Sequence, residues 1–127
     1  MIMNGCQSLP QYRTKIGIPL LAEPKPSALQ RGSIFPDVIV HVDGAPTAGY
    51  RKIWLRGFSS LRYIKENRTT ARLKVRQELY PDATQRALIV DGVSVLLGTA
   101  GEADFVEVWV EGWVLDTEIS PIEAEQK

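Results

Sequence analysis

The sequence is poor in the residue types that most often carry chemistry. Its 127 residues include one cysteine, Cys6, and one histidine, His41. A single cysteine excludes an internal disulfide and a zinc site built from several thiolates. Because there is only one histidine, a metal site would need mostly carboxylate ligands. We therefore expect neither a metal nor another cofactor.

Long hydrophobic runs are also absent. The longest apolar stretches, 87–90 and 93–97, have the length of a strand, well short of the roughly 20 residues that span a bilayer. The N-terminal segment lacks the positive start and the apolar segment of a secretory signal. We therefore expect no membrane association and a cytoplasmic location.

An excess of charge of one sign is missing as well, but the balance hides a segregation. The chain has 15 basic and 15 acidic residues, which gives a formal net charge of zero. Nine of the basic residues lie within 51–76, together with a single acidic one. Eight acidic residues and no basic residue lie within 102–125. The two charged regions therefore need separate interpretations.

The pattern of apolar residues predicts strands. Six of the eight prolines lie in the first 46 residues, so residues 1–35 are expected to form a loop-rich N-terminal segment. Val38, Val40 and Val42 alternate with other residues, which is typical of a half-buried strand. The same alternation predicts strands over 50–58 and 104–115.

Two further segments carry turn signals. Asp91-Gly92 separates the apolar runs 85–90 and 93–97, which predicts a tight hairpin because glycine accepts a positive φ. Residues 69–80 fit either a strand or a helix that ends at Pro81. We favour a strand for the first half of that segment.

Together these features predict one mainly β domain over residues 1–115, with at most one or two short helices. About six strands joined by short turns favour an antiparallel barrel or a sandwich-like sheet. Residues 116–127 are polar and acidic and are expected to form a flexible tail.

The basic region contains a possible nucleic-acid site. On a strand over 50–58, aromatic and basic side chains would share one face, and basic residues of a neighbouring strand could extend it. Cations pair with phosphates, and aromatic rings stack on bases for roughly 1–3 kcal/mol each. The candidate residues are Lys52, Trp54, Arg56, Phe58, Arg72, Lys74 and Arg76. Alternatively, the rings belong to the core and the basic stems pack over them.

The acidic region contains a matching stripe on the strand over 104–115. One face consists of valines and is expected to be core. The other face alternates aromatic and acidic residues, namely Phe105, Glu107, Trp109, Glu111 and Trp113. Three explanations are open: pairing with the basic stripe within the chain, pairing between copies in a homo-oligomer, or recognition of a basic partner protein.

The sequence offers one weak catalytic candidate. His41 and Asp43 are two residues apart on one strand face, with Asp37 on the same face. A histidine beside a carboxylate can act as a general base, but a lone histidine next to a turn is more often structural. We therefore expect a protein that is not an enzyme.

The leading hypothesis is a small binding protein that holds single-stranded nucleic acid on its basic, aromatic sheet face. The alternative is a protein-interaction or assembly component that uses its complementary stripes. A small enzyme with a cavity in a curved sheet is the second alternative.

Overall fold

The alternating segments of the sequence form strands. The computed structural model describes residues 9–80 and 82–122, and that part of the chain contains twelve strands and two 3-10 turns, Leu61–Tyr63 and Asp116–Glu118. It contains no helix of seven or more residues. In chain order the strands are β1 (Gln11–Thr14), β2 (Ile18–Leu21), β3 (Gln30–Ile34), β4 (Ile39–Val42), β5 (Tyr50–Ser60), β6 (Ile64–Lys65), β7 (Arg68–Thr69), β8 (Leu73–Arg76), β9 (Gln85–Ile89), β10 (Leu96–Glu102), β11 (Phe105–Leu115) and β12 (Ile119–Pro121).

Two long strands organise the fold. β5 and β11 have 11 residues each and pair antiparallel along their whole length, from Tyr50 opposite Leu115 to Ser60 opposite Phe105. Each is long enough for two neighbours on its other edge. β5 pairs there with β4 and then β8, while β11 pairs with β10 and with β2.

These pairings close a barrel. The strands β11, β2, β3, β9, β8 and β5 form a ring of six antiparallel strands that returns to β11. Outside the ring, β4, β1 and β12 extend the sheet from β5, and β10 lies along β11. The prediction of a mainly β, antiparallel domain is confirmed, and the barrel is the correct form.

The interior of the barrel is aliphatic. Ile53 and Leu55 of β5 and Val108 and Val110 of β11 have no exposed surface. Because successive side chains of a strand point to opposite faces, the aromatic and charged residues between them lie on the outer face. The valine face of β11 is core, as the sequence predicts.

The N-terminal segment contributes more to the sheet than its prolines suggest. β1, β2 and β3 all fall within residues 1–35. Pro19 is exposed in the middle of β2, while Ile18 and Leu20 on either side are buried. Their burial places β2 in the ring, although proline supplies no backbone donor there.

Part of the expected flexible tail belongs to the fold. β12 pairs antiparallel with β1, with Ile119 opposite Thr14. Ile119 and Ile122 are 4 % and 8 % exposed, so their burial holds residues 116–122 against the sheet. The rest of the expected tail, 123–127, lies outside the described residues.

The hairpin predicted around Asp91-Gly92 is wrong. Gly92 does adopt a positive φ of 80°, but the two flanking segments do not pair with each other. β9 pairs with β3 and β8. The chain after Gly92 bonds instead to the β6–β7 hairpin, since the Thr69 amide donates to the carbonyl of Val93 at 2.9 Å. Backbone hydrogen bonds to residues 67–69 therefore take the place of the bonds that the predicted hairpin would have made.

The ambiguous segment 69–80 contains a strand, as favoured from the sequence. β8 alternates clearly, because Leu73 and Val75 have no exposed surface whereas Lys74 is exposed. Arg72, just before the strand, is also exposed.

Candidate functional site

The two stripes lie side by side on the outer face of the paired strands β5 and β11. In this register Lys52 lies opposite Trp113, and Arg56 lies opposite Trp109. The Nζ atom of Lys52 is 2.9 Å from a carboxylate oxygen of Glu111. This ion pair is the largest cause of the raised pKa of Lys52. The stripes therefore pair within one chain, but each cation lies opposite a tryptophan and reaches its glutamate diagonally across the two strands.

A second ion pair joins the stripes in a more buried setting. The guanidinium of Arg56 donates from Nε to Oε2 of Glu107. The side chain of Glu107 is 5 % exposed and that of Arg56 is 37 % exposed. β10 covers this carboxylate at Gly98, where an added Cβ would lie 2.1 Å from Oε1 of Glu107. Glycine at this position therefore lets the backbone close over the ion pair.

Two of the residues expected in a protein interface are inside the fold. Trp109 has no exposed surface and Glu107 is 3 % exposed as a residue. The guanidinium of Arg56 lies 6.0 Å from the Trp109 ring, and the ring of His41 lies 5.3 Å from it. Neighbouring strands of the same chain therefore occupy the face that these two residues were expected to offer to a partner.

The other aromatic residues of the stripes are differently placed. Phe58 is 8 % exposed and lies under the guanidinium of Arg56. Trp54 and Trp113 are half-buried, and Nε1 of Trp54 donates to Asp43 at 3.4 Å. Phe105 is half-buried at the start of β11. Of the predicted stacking rings, Phe58 is the least accessible to a base.

Glu111 is held by two cations. Besides Lys52, Arg31 of β3 lies 4.0 Å from its carboxylate and donates at 2.7 Å to its backbone carbonyl. The charge of Glu111 is thus compensated from two strands, which leaves little of it for a partner molecule.

The three residues of the catalytic candidate have separate partners. His41 is 7 % exposed and packs on Trp109. Asp43 accepts from Trp54, and Asp37 forms an exposed ion pair with Arg13 at 3.1 Å. Burial lowers the pKa of His41, the backbone of Leu9 opposes this, and the nearby guanidinium groups lower it further.

The lowered pKa of His41 predicts a loss of stability in acid. The unfolded chain takes up this proton near pH 6.5, while the folded chain resists it, so stability should fall as pH drops below about 6.5, at no more than about 1.4 kcal/mol per pH unit. Urea unfolding of the protein and of His41→Gln, at about pH 7.5 and about pH 5.5, measures this. The variant should lose less stability on acidification. An equal loss in both proteins would show that His41 does not contribute.

The exposed basic residues meet at a different place, which we call the basic groove. It has a volume of about 390 Å³ and lies between the end of β5, the following 3-10 turn, β8 and the β10–β11 turn. Four cations line it against one carboxylate, together with two aromatic rings. The charged and aromatic lining residues are Arg62, Tyr63, Arg72, Lys74, Arg76, Asp104 and Phe105.

Hydrogen bonds fix the segments that form the groove relative to one another. The amide of Leu61 donates to the carbonyl of Asp104 at 2.7 Å, which ties the 3-10 turn to the β10–β11 turn. The hydroxyl of Ser59 donates to the carbonyl of Lys74 at 2.8 Å, which fixes β8 beside β5. Arg76 donates to the carbonyl of Ala83. The walls of the groove are therefore parts of the barrel, and its cations project from them.

The groove unites residues that the sequence assigned to different sites. Arg72, Lys74 and Arg76 come from the predicted nucleic-acid set, and Phe105 comes from the acidic stripe. Arg62 and Tyr63 were not predicted as site residues. An arginine followed by an aromatic residue inside the basic region is the signal that could have identified them. Lys52 and Arg56 are absent from the groove lining and pair with Glu111 and Glu107.

Comparisons with family models, curated proteins and solved structures found no match to this chain. None of the helices described is long and apolar enough to cross a membrane. Across residues 9–80 and 82–122, no group of three or more histidine, cysteine or acidic side chains is placed to hold a metal ion.

Proposed function

We propose that this protein is a small non-enzymatic binding protein and that the basic groove holds single-stranded nucleic acid. The observation that carries the proposal is the concentration of four cations and two aromatic rings in one groove. Single-strand binders combine these two elements, because cations attract the phosphates while rings stack on the bases.

Three of the four groove cations are exposed and available to a ligand, whereas Arg76 is half-buried and already donates to the carbonyl of Ala83. Arg72 and Lys74 are exposed, and neither forms an ion pair with any residue that the structure describes. Arg62 lies 4.0 Å from Asp104 in a pair whose side chains are 72 % and 55 % exposed. An exposed pair of that kind is weak, so a phosphate can replace the carboxylate. Lys52 and Arg56, by contrast, would have to leave Glu111 and Glu107.

The two aromatic rings of the groove are exposed enough to stack on a base. Tyr63 is 40 % exposed and follows Arg62 in the 3-10 turn. Phe105 is half-buried beside Asp104. A base stacked on Tyr63 would be close to the guanidinium of its neighbour, which is the arrangement that sequence-tolerant binding uses.

Assembly through the complementary stripes has less support. The main argument for assembly was that the charges of the two stripes needed partners. Each stripe supplies those partners to the other within one chain. The expected cytoplasmic location stays a prediction.

Salt should weaken the binding steeply if the proposal is correct. With three or four cations neutralising phosphates, the logarithm of the association constant should fall by about 2 to 3 for each tenfold rise in salt, since single strands lose about 0.7 per phosphate. Fluorescence anisotropy of a labelled thymidine nonamer, titrated over a range of salt concentrations, measures this slope. No binding at low salt would contradict the proposal, and binding without salt dependence would exclude the basic groove as the site.

A further inference from the structure

A second cavity lies between β2, the β2–β3 loop, the start of β5 and the chain that follows β11. It has a volume of about 290 Å³ and shares no lining residue with the basic groove. Its lining is apolar or aromatic except for one amide side chain, Gln30, and one carboxylate, Glu118. We call it the apolar cavity.

Backbone hydrogen bonds fix the walls of the apolar cavity. The amide of Ala22 donates to the carbonyl of Leu29 at 2.9 Å, which closes the β2–β3 loop. The amide of Asp116 donates to the carbonyl of Gly49 at 3.0 Å, which ties the turn after β11 to the start of β5. The cavity therefore exists before a ligand arrives, and binding does not require the ordering of a loop.

The apolar cavity leaves apolar surface in contact with water. Among its lining residues, Ile18, Leu21 and Tyr50 are buried, whereas Leu115 is 41 % exposed. A ligand with an apolar body would remove this surface from water, which is favourable in proportion to the area covered. The volume is close to the lower end of the range of small-molecule sites, about 300–1,000 Å³, so a small free molecule fits it.

The two polar side chains of the cavity offer acceptors to such a ligand. Glu118 is partly buried and forms no ion pair with any residue within 9–80 and 82–122. The side-chain nitrogen of Gln30 already donates to the carbonyl of Gly32 at 3.1 Å and to the hydroxyl of Ser33 at 3.3 Å. Its carbonyl oxygen is therefore the group that Gln30 can offer.

The rest of the lining is poor in donors. Pro19 and Pro26 form part of it, and proline has no backbone N–H to give to an anion. A carboxylate in a partly buried, apolar setting attracts a cation more strongly than one in open water. The chemistry of the lining therefore favours a ligand that brings its own N–H donors and a positive charge.

We infer that the apolar cavity binds a small amine with an apolar body. The ammonium group lies against the carboxylate of Glu118, and the body covers Leu115 and the buried side chains beside it. This ligand is a different class of molecule from the nucleic acid proposed for the basic groove. The inference goes beyond the proposed function and does not depend on it, because the two sites share no lining residue.

Two amines with different bodies, phenethylamine and hexylamine, test the inference. Each is compared near neutral pH with the alcohol of the same carbon body, phenethyl alcohol or hexanol, by titration of isotope-labelled protein in two-dimensional amide NMR spectra. The amides of Leu21, Ala28 and Leu115 should shift. Each amine should bind at least about fivefold more tightly than its alcohol, because an exposed ion pair contributes up to about that factor and a partly buried pair contributes more.

A matched pair of variants assigns the preference to one carboxylate. Glu118→Gln keeps the shape of the side chain and removes its charge, so it should weaken binding of both amines at least about fivefold and leave binding of the alcohols unchanged. Glu102→Gln makes the same change in net charge at an exposed residue outside the cavity lining and should keep the preference.

Several results would overturn the inference. These are the absence of shifts with both amines, equal binding of each amine and its alcohol, and a preference for amines that survives in Glu118→Gln. Binding of a lysine-rich peptide at the same amides, with no binding of either amine, would indicate a protein ligand and would overturn it as well. None of these results bears on the basic groove, whose function the salt titration tests separately.

Discussion

Replacement of Arg56 by alanine is expected to destabilise the fold by about 3 kcal/mol. The substitution leaves the carboxylate of Glu107, 5 % exposed, without its cation. Breaking one partner of a buried ion pair typically costs about 3–5 kcal/mol. The lower end applies because Arg56 itself is 37 % exposed, so that water can reach part of the site. Urea unfolding followed by tryptophan fluorescence measures the change, since Trp109 lies beside the pair.

Lys52→Ala is the matched control. It removes the other cation that joins the stripes, but the side chains of Lys52 and Glu111 are 34 % and 33 % exposed. Such a pair contributes about 0–1 kcal/mol, and Arg31 remains near Glu111. Adding Glu107→Gln to Arg56→Ala should recover part of the stability, because the buried charge is then gone. If Arg56→Ala and Lys52→Ala cost the same, the Arg56–Glu107 pair does not support the fold as described.

Reversal of two groove cations, Arg72→Glu with Lys74→Glu, is expected to weaken oligonucleotide binding by at least about 50-fold at low salt. Each phosphate contact on a single strand contributes about 0.9 of a decade at ~50 mM salt relative to ~1 M. Losing two contacts gives nearly two decades, and the added repulsion increases the loss. The fold should hold within about 0.5 kcal/mol, because substitutions of exposed residues without specific partners have small effects. Anisotropy and urea unfolding of the same preparation measure both quantities.

Lys15→Glu with Lys25→Glu is the control for this second prediction. Both residues are exposed and absent from the groove lining, and the change in net charge is identical. Its binding should stay close to that of the native protein. Equal losses in the two variants would mean that binding follows the overall charge and not the groove. An unfolded Arg72→Glu/Lys74→Glu variant would instead show that these side chains are structural.

The two predictions separate basic residues that look alike in the sequence. Arg56 and Arg72 both alternate with apolar residues in the same basic region. One pairs with a buried carboxylate and the other is exposed without an ion pair among the residues described. No property of the local sequence distinguishes them, because the difference depends on which strand lies opposite.

The alternation of apolar residues in the sequence predicted the two long strands at the centre of the fold. It predicted the strand that contains Val38, Val40 and Val42, the strands over 50–58 and 104–115, and the valine face of β11, because the side-chain period of a strand is fixed by its own backbone. The turn signal at Asp91-Gly92 predicted the positive φ of Gly92 correctly but predicted the wrong pairing partner for the flanking strands. A tight turn permits a hairpin, yet a competing edge elsewhere in the fold decides whether one forms.

The sequence by itself determined the aliphatic interior, the complementary stripes and the strands β4, β5, β8, β9 and β11, since these depend on residue type and spacing. Only the tertiary structure decided that the stripes satisfy each other, because Arg56 and Glu107 are 51 residues apart and meet through the register of β5 and β11. It also moved the candidate site. The basic groove combines residues from a 3-10 turn, β8 and the β10–β11 turn, and closure of the barrel is what brings these distant segments together.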